Sequence, residues 1–321
     1  MKTHIIMSGK IHPRIIEMLQ DDCELHQLPA DPAQRGGFPA ETISRISVLL
    51  SGAGGPAVDK AIIDSFPALK LIANFGVGYD HIDALYAASK GVIVTNTPDV
   101  LTDEVADLAI GLTLSVIRQL PQADRFLREG KWDEGLKFPF SYSLRGRKVG
   151  IVGLGRIGSA IAHRFSAFDC EVAYFSRSAK PGISYRYCST IKELAETCDL
   201  LVVATSGGAE TRHLINADIL KALGKEGILI NIARGSVIDE DALITALQNK
   251  VIASAGLDVF TNEPHVPQAL KDMEHVVLLP HIGSASAKTR NEMAELVANN
   301  VLTWLQTGKV LTSTPETKAL A

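Results

Sequence analysis

The sequence predicts an α/β protein built from two doubly wound domains, each with a parallel sheet. Short, continuously apolar segments alternate with helix-length segments along most of the chain, which is typical of parallel strands covered on both faces. These segments fall into two successive sets. The 321 residues are enough for two cores of ordinary size, so two domains explain the pattern better than one long sheet.

The predicted strands lie in two groups. The first half of the chain offers residues 4–9, 47–52, 69–76 and 92–98, and the second half offers residues 148–153, 171–176, 200–205, 228–233, 254–259 and 276–281. Residues 97–120 predict a connecting helix, with Thr102 as its N-cap and two acidic residues in its first turn. Residues 121–147 have little periodicity and are interpreted as an arm. Residues 284–308 predict a final helix that could return to the first domain and make it discontinuous.

Composition and charge exclude several classes of protein. Apolar residues make up 46% and charged residues 21%, as in ordinary globular proteins, and the net charge of −4 gives no electrostatic case for binding nucleic acid or an anionic membrane. No apolar run approaches the ~20 residues that span a bilayer, and the N-terminus lacks a signal-peptide core. The scattered cysteines match no metal spacing and fit a reducing compartment, so we expect a cytoplasmic protein without a metal site. They are Cys23, Cys170, Cys188 and Cys198.

The strongest local motif is GLGRIG, which follows an apolar strand and opens a helix. Gly153 permits a tight turn, Gly155 lets a pyrophosphate approach the backbone, and Gly158 lets the helix pack closely on the strand. The start of the helix would direct N–H groups and a partial positive charge at the phosphates. The motif predicts a dinucleotide site, and the alternative is a glycine turn without a ligand.

The next predicted strand ends at Ser176, and Arg177 and Ser178 follow it. NAD sites usually carry Asp or Glu at this position, where the carboxylate accepts hydrogen bonds from the ribose and would repel a 2′-phosphate. A guanidinium with two hydroxyls can instead bind that phosphate. The sequence therefore favours NADP(H), with NAD(H) also possible. The alternative is that Arg177 is a solvated surface residue and that either cofactor is used.

Polar residues follow three successive strands of the second set. Arg234 comes after the first of them, Asp258 and Glu263 lie around the end of the next, and His281 ends the last. The carboxyl ends of parallel strands meet at one edge of a sheet, so we expect these side chains to converge. Each also has a structural alternative: an ion pair from Arg234 to a nearby carboxylate, a polar turn around Glu263, and a strand cap at His281.

Together, this set can reduce a keto acid. Hydride transfer to a ketone leaves negative charge on oxygen, and a histidine within hydrogen-bond reach can supply the proton near neutral pH. A carboxylate such as Glu263 on its other ring nitrogen would fix the tautomer and favour the protonated form. Arg234 can bind the substrate carboxylate and polarise the carbonyl.

The motifs carrying these residues resemble those of the D-isomer-specific 2-hydroxyacid dehydrogenases, and most of all the glyoxylate/hydroxypyruvate reductase branch. In chain order they are NFGVGYDHID (74–83), TPDVLTDEVADLAIGL (97–112), GIVGLGRIG (150–158), NIARGSVIDEDAL (231–243), GLDVFTNEPHVP (256–267) and LLPHIGSAS (278–286). The resemblance implies a Rossmann nucleotide-binding domain over 100–286, inserted into a flavodoxin-like substrate domain over 1–99 and 287–321. It also implies a homodimer and a D-2-hydroxy acid product.

The resemblance further assigns site residues. Arg234, Glu263 and His281 would be catalytic, and the backbone amides of Val77 and Gly78 would bind the substrate together with Arg234 and His281. The remaining matches, besides Gly153, Gly155 and Gly158, would line the cofactor. They are Arg156, Ile157, Ser176, Arg177, Ser178, Thr205, Ile232, Asp258 and Gly283.

Two other functions compete with NADPH-dependent reduction of a small 2-keto acid. The same fold can oxidise formate or phosphite, but the formate branch pairs its histidine with glutamine, and this chain has Glu263. A nucleotide-sensing binding protein of the corepressor type would keep the fold and the triad and bind cofactor without turnover.

Overall fold

The computed structural model describes residues 2–29 and 38–321. The chain divides into two compact units, here called unit 1 (Met1–Leu101 with Ser286–Ala321) and unit 2 (Thr102–Ala285). Each unit contains one sheet in which every pair of neighbouring strands is parallel. The predicted α/β class with two parallel sheets is confirmed.

Unit 1 alternates strands and helices along the chain. Its elements are β1 (Thr3–Ser8), α1 (Pro13–Leu19), β2 (Cys23–Gln27), α2 (Ala40–Arg45), β3 (Ile46–Ser51), α3 (Lys60–Asp64), β4 (Leu71–Asn74), α4 (Ala84–Ser89), β5 (Ile93–Thr95) and α12 (Ala287–Thr307). A 3₁₀ segment, Pro315–Leu320, follows α12. The strand order β2-β1-β3-β4-β5 is that of flavodoxin-like proteins.

The apolar runs of unit 1 serve two cores, one on each face of the sheet. Ile6, Leu49 and Ile72 belong to one core, whereas their chain neighbours Ile5 and Leu71 belong to the other, since successive strand residues point to opposite faces. The second core also contains the apolar stripe of α12, formed by Ala294, Val297, Ala298 and Val301. The final helix therefore packs in unit 1.

Unit 2 begins with two helices and continues as an alternating sheet. Its elements are α5 (Thr102–Ile117), α6 (Leu120–Arg128), β6 (Lys148–Val152), α7 (Arg156–Ala167), β7 (Glu171–Phe175), β8 (Arg186–Cys188), α8 (Ile191–Thr197), β9 (Leu200–Val203), α9 (Ala217–Leu223), β10 (Ile228–Asn231), α10 (Glu240–Gln248), β11 (Ser254–Leu257), α11 (Gln268–Lys271) and β12 (Val277–Leu278). The order β12-β11-β10-β9-β6-β7-β8 reverses direction between β6 and β9. Ligands of open parallel sheets bind at such a switch point.

Three details of the predicted elements differ. The strands β2 and β8 were not predicted, because CELHQ and RYC are short and polar. Part of the predicted arm is the helix α6, although no residue of α6 is buried. The helix α5 includes Thr102 itself, with its acidic first turn as predicted.

Across residues 2–29 and 38–321, none of the helices combines the length and the apolar character that crossing a membrane requires.

Candidate active site

The candidate site is built at the carboxyl ends of three neighbouring strands in unit 2. β10, β11 and β12 lie side by side, and the segments leaving them carry Arg234, Glu263 and His281. Because the strands are parallel, these segments leave the sheet at one edge. Residues that are far apart in the sequence are thereby brought into one constellation.

His281 and Glu263 form a direct hydrogen-bonded pair. The Nδ1 atom of His281 lies 2.7 Å from Oε2 of Glu263, and Oε1 of Glu263 accepts a hydrogen bond of 2.9 Å from the N–H of Phe260. Burial opposes ionisation of Glu263, but its hydrogen bonds to His281 and Phe260 and the nearby charge of Arg234 hold its pKa below the usual value. The pair therefore joins an ionised carboxylate to one imidazole nitrogen and leaves Nε2 for a substrate.

Asp258 holds the backbone that carries His281. Its side chain accepts hydrogen bonds from the N–H groups of Ile282 (2.8 Å) and Gly283 (2.9 Å), and its carbonyl accepts from the N–H of His281 (2.9 Å). Asp258 is 1% exposed, and this burial raises its pKa against the lowering effect of the two amides. These bonds fix His281 at φ 54°, a left-handed conformation that costs a non-glycine residue roughly 1–2 kcal/mol.

Arg234 lies at the start of a tight 3₁₀ turn, Gly235–Val237. The side chain of the buried Asn231 shapes the approach to this turn, since it donates to the carbonyl of Arg234 (3.0 Å) and accepts from the N–H of Ala233 (3.0 Å). A Cβ atom on Gly235 would lie 1.9 Å from the carbonyl carbon of Phe260, so only glycine allows this close packing. The Arg234 turn therefore touches the segment that holds Glu263.

Two carboxylates close to Arg234 in the sequence, Asp239 and Glu240, are the candidates for the alternative ion pair, and both have other roles. Asp239 caps α10 by accepting from the N–H of Ala242 (3.1 Å), and Glu240 accepts from the N–H of Thr261 (3.1 Å). The positive charge of Arg234 instead acts on Glu263, where it helps to lower the pKa. This environment agrees with an arginine that belongs to the His281–Glu263 constellation.

The glycine motif has the geometry that a dinucleotide requires. Gly153 lies at φ 98°, and a Cβ atom there would lie 2.9 Å from the backbone of Thr205. A Cβ on Gly158 would lie 1.9 Å from the carbonyl oxygen of Gly153, so helix and strand are in close contact. Gly155, the N-cap of α7, makes no side-chain cap, and the space where its Cβ would lie is open. The start of α7 therefore has open space beside Gly155 and no side-chain cap, as a pyrophosphate site at a helix N-terminus requires.

The residues that were predicted to choose between NADP and NAD lie just beyond β7. The hydroxyl of Ser176 donates to the carbonyl of Ser178 at 2.6 Å. Arg177 is 94% exposed in its side chain and lies 3.8 Å from the equally exposed Glu210. Such an exposed pair contributes little and can be exchanged for a stronger one, so Arg177 could bind a 2′-phosphate.

The other predicted residues are distributed over both units. In unit 2, Arg156 and Ile157 form the first turn of α7, and Ile232 follows β10. In unit 1, Val77 and Gly78 lie in the loop after β4, where Asn96 and Asn74 donate hydrogen bonds to their carbonyls. Their predicted role in substrate binding stays a prediction.

Three residues that position Arg234 and Glu263 were not predicted from the sequence. Asn231 and Gly235 flank Arg234, and the N–H of Phe260 holds Glu263. An asparagine that ends a buried strand was the available signal for Asn231. Gly235 and Phe260 had none, because their importance depends on a contact between two segments distant in the sequence.

Comparison with known proteins identifies similar chains. A family model described as the NAD-binding domain of D-isomer-specific 2-hydroxyacid dehydrogenases matches residues 110–283. Hydroxyphenylpyruvate reductase of Plectranthus scutellarioides is 47% identical over 297 residues, which cover 92% of this chain and 94% of the relative. Glyoxylate/hydroxypyruvate reductase A of Arabidopsis thaliana is 48% identical over 78% of this chain and 80% of its own length.

A solved structure is similar over almost the full length. It is the NADPH-dependent glyoxylate/hydroxypyruvate reductase of Sinorhizobium meliloti in complex with NADP and malonate. The two chains share 48% identity with a TM-score of 0.93, over 99% of this chain and 98% of that chain.

Proposed function

The chain belongs to the D-isomer-specific 2-hydroxyacid dehydrogenase family, and we propose that it reduces a small 2-keto acid of the glyoxylate or hydroxypyruvate type to the D-2-hydroxy acid, with NADPH as preferred donor. Three observations support this proposal: the glycine motif, the absence of an acidic residue at Ser176, and the relatives named above. The observation that carries it is the 2.7 Å hydrogen bond between His281 and Glu263.

His281 is proposed to be the general acid of the reduction. Its Nδ1 bonds to an ionised Glu263, which fixes the orientation of the ring and leaves Nε2 directed away from the carboxylate. The ring can therefore donate a proton to the oxygen of the keto group as negative charge develops there. In the reverse direction the neutral ring accepts that proton from the hydroxy acid.

Arg234 is proposed to bind the carboxylate of the substrate and to polarise its carbonyl. The backbone amides of Val77 and Gly78, predicted from the NFGVG motif, are proposed as further contacts to that carboxylate. The glycine loop, the first turn of α7 and the Ser176–Ser178 segment would hold the dinucleotide, which supplies the hydride when bound. Thr205, Ile232, Asp258 and Gly283 complete the proposed lining.

The substrate can be identified with a panel of keto acids, assayed with NADPH and NADH in parallel. Glyoxylate, hydroxypyruvate, 2-ketogluconate and hydroxyphenylpyruvate represent the named relatives. We expect the highest kcat/KM with a small 2-keto acid and NADPH. Formate oxidation, or tight NADPH binding with no turnover of any keto acid, would favour the competing functions instead.

The role of His281 can be tested by His281→Ala, which should retain NADPH binding and lower the reduction rate by about 10²–10⁴-fold, the usual contribution of a general acid. His163→Ala on the exposed surface of α7 is a matched control and should leave the rate unchanged. A near-normal rate in His281→Ala would refute the proposed mechanism.

We also propose that the protein is a homodimer that associates through unit 2. Large apolar side chains in α6 and the segment after it are solvent-exposed, including Trp132 at 67% and a fully exposed Phe140. Patches of this kind usually mark protein interfaces. Analytical ultracentrifugation should give a dimer mass, and Phe140→Asp should lower it to that of a monomer.

A cytoplasmic location is proposed as well. Cys23, Cys170, Cys188 and Cys198 are all free thiols, which is typical of a reducing compartment. Fractionation of the source cells with an antibody to the chain would test it.

A further inference from the structure

We infer that His4, Glu24 and His26 form a binding site for a divalent transition-metal ion of the zinc class, within unit 1 and separate from the catalytic constellation. One potential ligand atom from each residue lies within 4.8 Å of the other two. The sequence predicted no metal site, on the spacing of the cysteines, and the strand β2 that carries Glu24 and His26 was not predicted.

The pairing of β1 and β2 brings the three side chains together. His4 is paired with Glu24, and Ile6 is paired with His26, in a parallel register. Residues two apart on a strand share a face, so Glu24 and His26 project from β2 on the same side as His4 projects from β1. The set is therefore fixed by backbone pairing rather than by a mobile loop.

The distances between the potential ligand atoms are close to those between ligands of a tetrahedral zinc ion. Nδ1 of His4 and Nε2 of His26 lie 3.0 Å apart, and Nε2 of His26 lies 3.7 Å from Oε1 of Glu24. The other ring nitrogen of His4, Nε2, lies 3.5 Å from Oε2 of Glu24. Two ligands at 2.0–2.1 Å from zinc in tetrahedral geometry are separated by about 3.3 Å. Small movements of the two rings and of the exposed Glu24 side chain would place all three around one ion, with a fourth position open to water.

The chemistry of the ligands favours zinc over harder cations. Two imidazole nitrogens and one carboxylate are typical zinc ligands, whereas calcium and magnesium prefer sets made of oxygen. The neighbouring thiol of Cys23 belongs to the core on the opposite face of the sheet. The proposed site is therefore of the nitrogen–oxygen type.

The three proposed ligands differ in how far their side chains are exposed to solvent. The side chains of His4 and His26 are 10% and 17% exposed, whereas that of Glu24 is 55% exposed. The ring of Phe38 packs edge-on against His26 with centroids 6.4 Å apart. The two imidazoles are thus largely buried, whereas the carboxylate faces solvent, from which an ion would enter.

A bound ion would join the edge strand β2 to β1. A metal ion that binds the folded state but not the unfolded state raises the free energy of unfolding with the logarithm of its concentration above the dissociation constant. We therefore expect zinc to raise the unfolding midpoint of the protein by roughly 3 °C or more at saturation.

The test is isothermal titration calorimetry, in which zinc is titrated into metal-free protein that carries no histidine tag. We expect one tight equivalent for the wild-type chain, at least 100-fold weaker binding in His26→Gln, and at least 10-fold weaker binding in Glu24→Gln. His163→Gln, a surface histidine outside the cluster, should bind as the wild type does. Cobalt in place of zinc should give the intense visible bands of a tetrahedral site, and His26→Gln should abolish them.

Glu24→Gln also distinguishes loss of the metal site from misfolding. It changes an exposed side chain, so it should keep wild-type keto-acid reduction in metal-free buffer. His281→Gln serves as the second comparison, since His281 and Glu263 are another nitrogen–oxygen pair. Zinc binding that survives both Glu24→Gln and His26→Gln but is lost in His281→Gln would overturn the inference. So would the absence of a tight equivalent in the wild type, which would leave a hydrogen-bonded cluster.

Discussion

Replacing Gly158 with alanine should damage the glycine loop. The added Cβ would lie 1.9 Å from the carbonyl oxygen of Gly153, which would have to recede by about 1.5 Å to reach an ordinary contact. That oxygen has little freedom, because Gly153 is itself in a left-handed conformation against the backbone of Thr205. Overpacking of this kind costs about 3 kcal/mol, and the better helix propensity of alanine returns about 1 kcal/mol.

A net loss of about 2 kcal/mol should lower the unfolding midpoint of unit 2 by roughly 4–8 °C. NADPH binding should weaken with it, since the first turn of α7 would be displaced from the loop. Differential scanning fluorimetry measures the first effect, and quenching of protein fluorescence by NADPH measures the second.

Gly155→Ala is the matched control for stability. No atom lies within 4 Å of the position of its Cβ, and its φ of −82° suits any residue, so the unfolding midpoint should stay within about 1 °C of the wild type. The methyl group would nevertheless fill the space proposed for the pyrophosphate. Losing a hydrogen bond to a charged phosphate costs about 1.5–3 kcal/mol, so NADPH affinity should fall by about 10–100-fold.

The two variants therefore separate packing from ligand binding. If Gly155→Ala bound NADPH as tightly as the wild type, the loop would not be the phosphate site. If Gly158→Ala were as stable as the wild type, the close contact with Gly153 would not constrain the chain.

Four further outcomes are expected. Arg234→Ala should lower kcat/KM for the keto acid by about 10²–10³-fold, and rates restored by Arg234→Lys would contradict a bidentate contact. Ser176→Asp should reverse the preference from NADPH to NADH in paired kinetic assays, because the carboxylate repels a 2′-phosphate. Asp258→Asn should lower the free energy of unfolding in urea by about 1–3 kcal/mol, since one of two buried amides loses its acceptor. Folding lowers the pKa of Glu263 from 4.5, so its stabilising contribution is present above pH 4.5 and is lost as pH falls through the folded-state pKa. The difference in free energy of unfolding between wild type and Glu263→Gln should therefore shrink in acid. A difference that stays constant with pH would rule out the ionised contact with His281.

The sequence predicted those elements whose residues are buried on both faces. Segments such as 200–205 and 228–233 are apolar at five of their six positions, because β9 and β10 lie inside a covered sheet. The outermost strands β2 and β8 were not predicted, because they are partly exposed and carry polar residues. Missing β2 also meant missing the juxtaposition of His4 with Glu24 and His26.

The candidate site was predictable where chemistry and strand ends coincide, as they do for Arg234, Glu263 and His281. The pairing of His281 with Glu263 rather than with Asp258 was also expected, and the two carboxylates have different partners in the structure. The supporting contacts of Asn231, Gly235 and Phe260 were beyond reach, because they depend on atomic distances between separate segments.

Asp258 and Glu263 have separate roles at His281: one carboxylate binds the main chain and the other binds the ring. Asp258 grips the main chain of residues 281–283, whereas Glu263 touches only the ring of His281 within this three-residue stretch. The main chain at His281 is therefore held independently of the side chain at 263, which contacts the ring. A substitution at 263 thus changes the partner of the imidazole and leaves the bonds that Asp258 makes to the main chain intact.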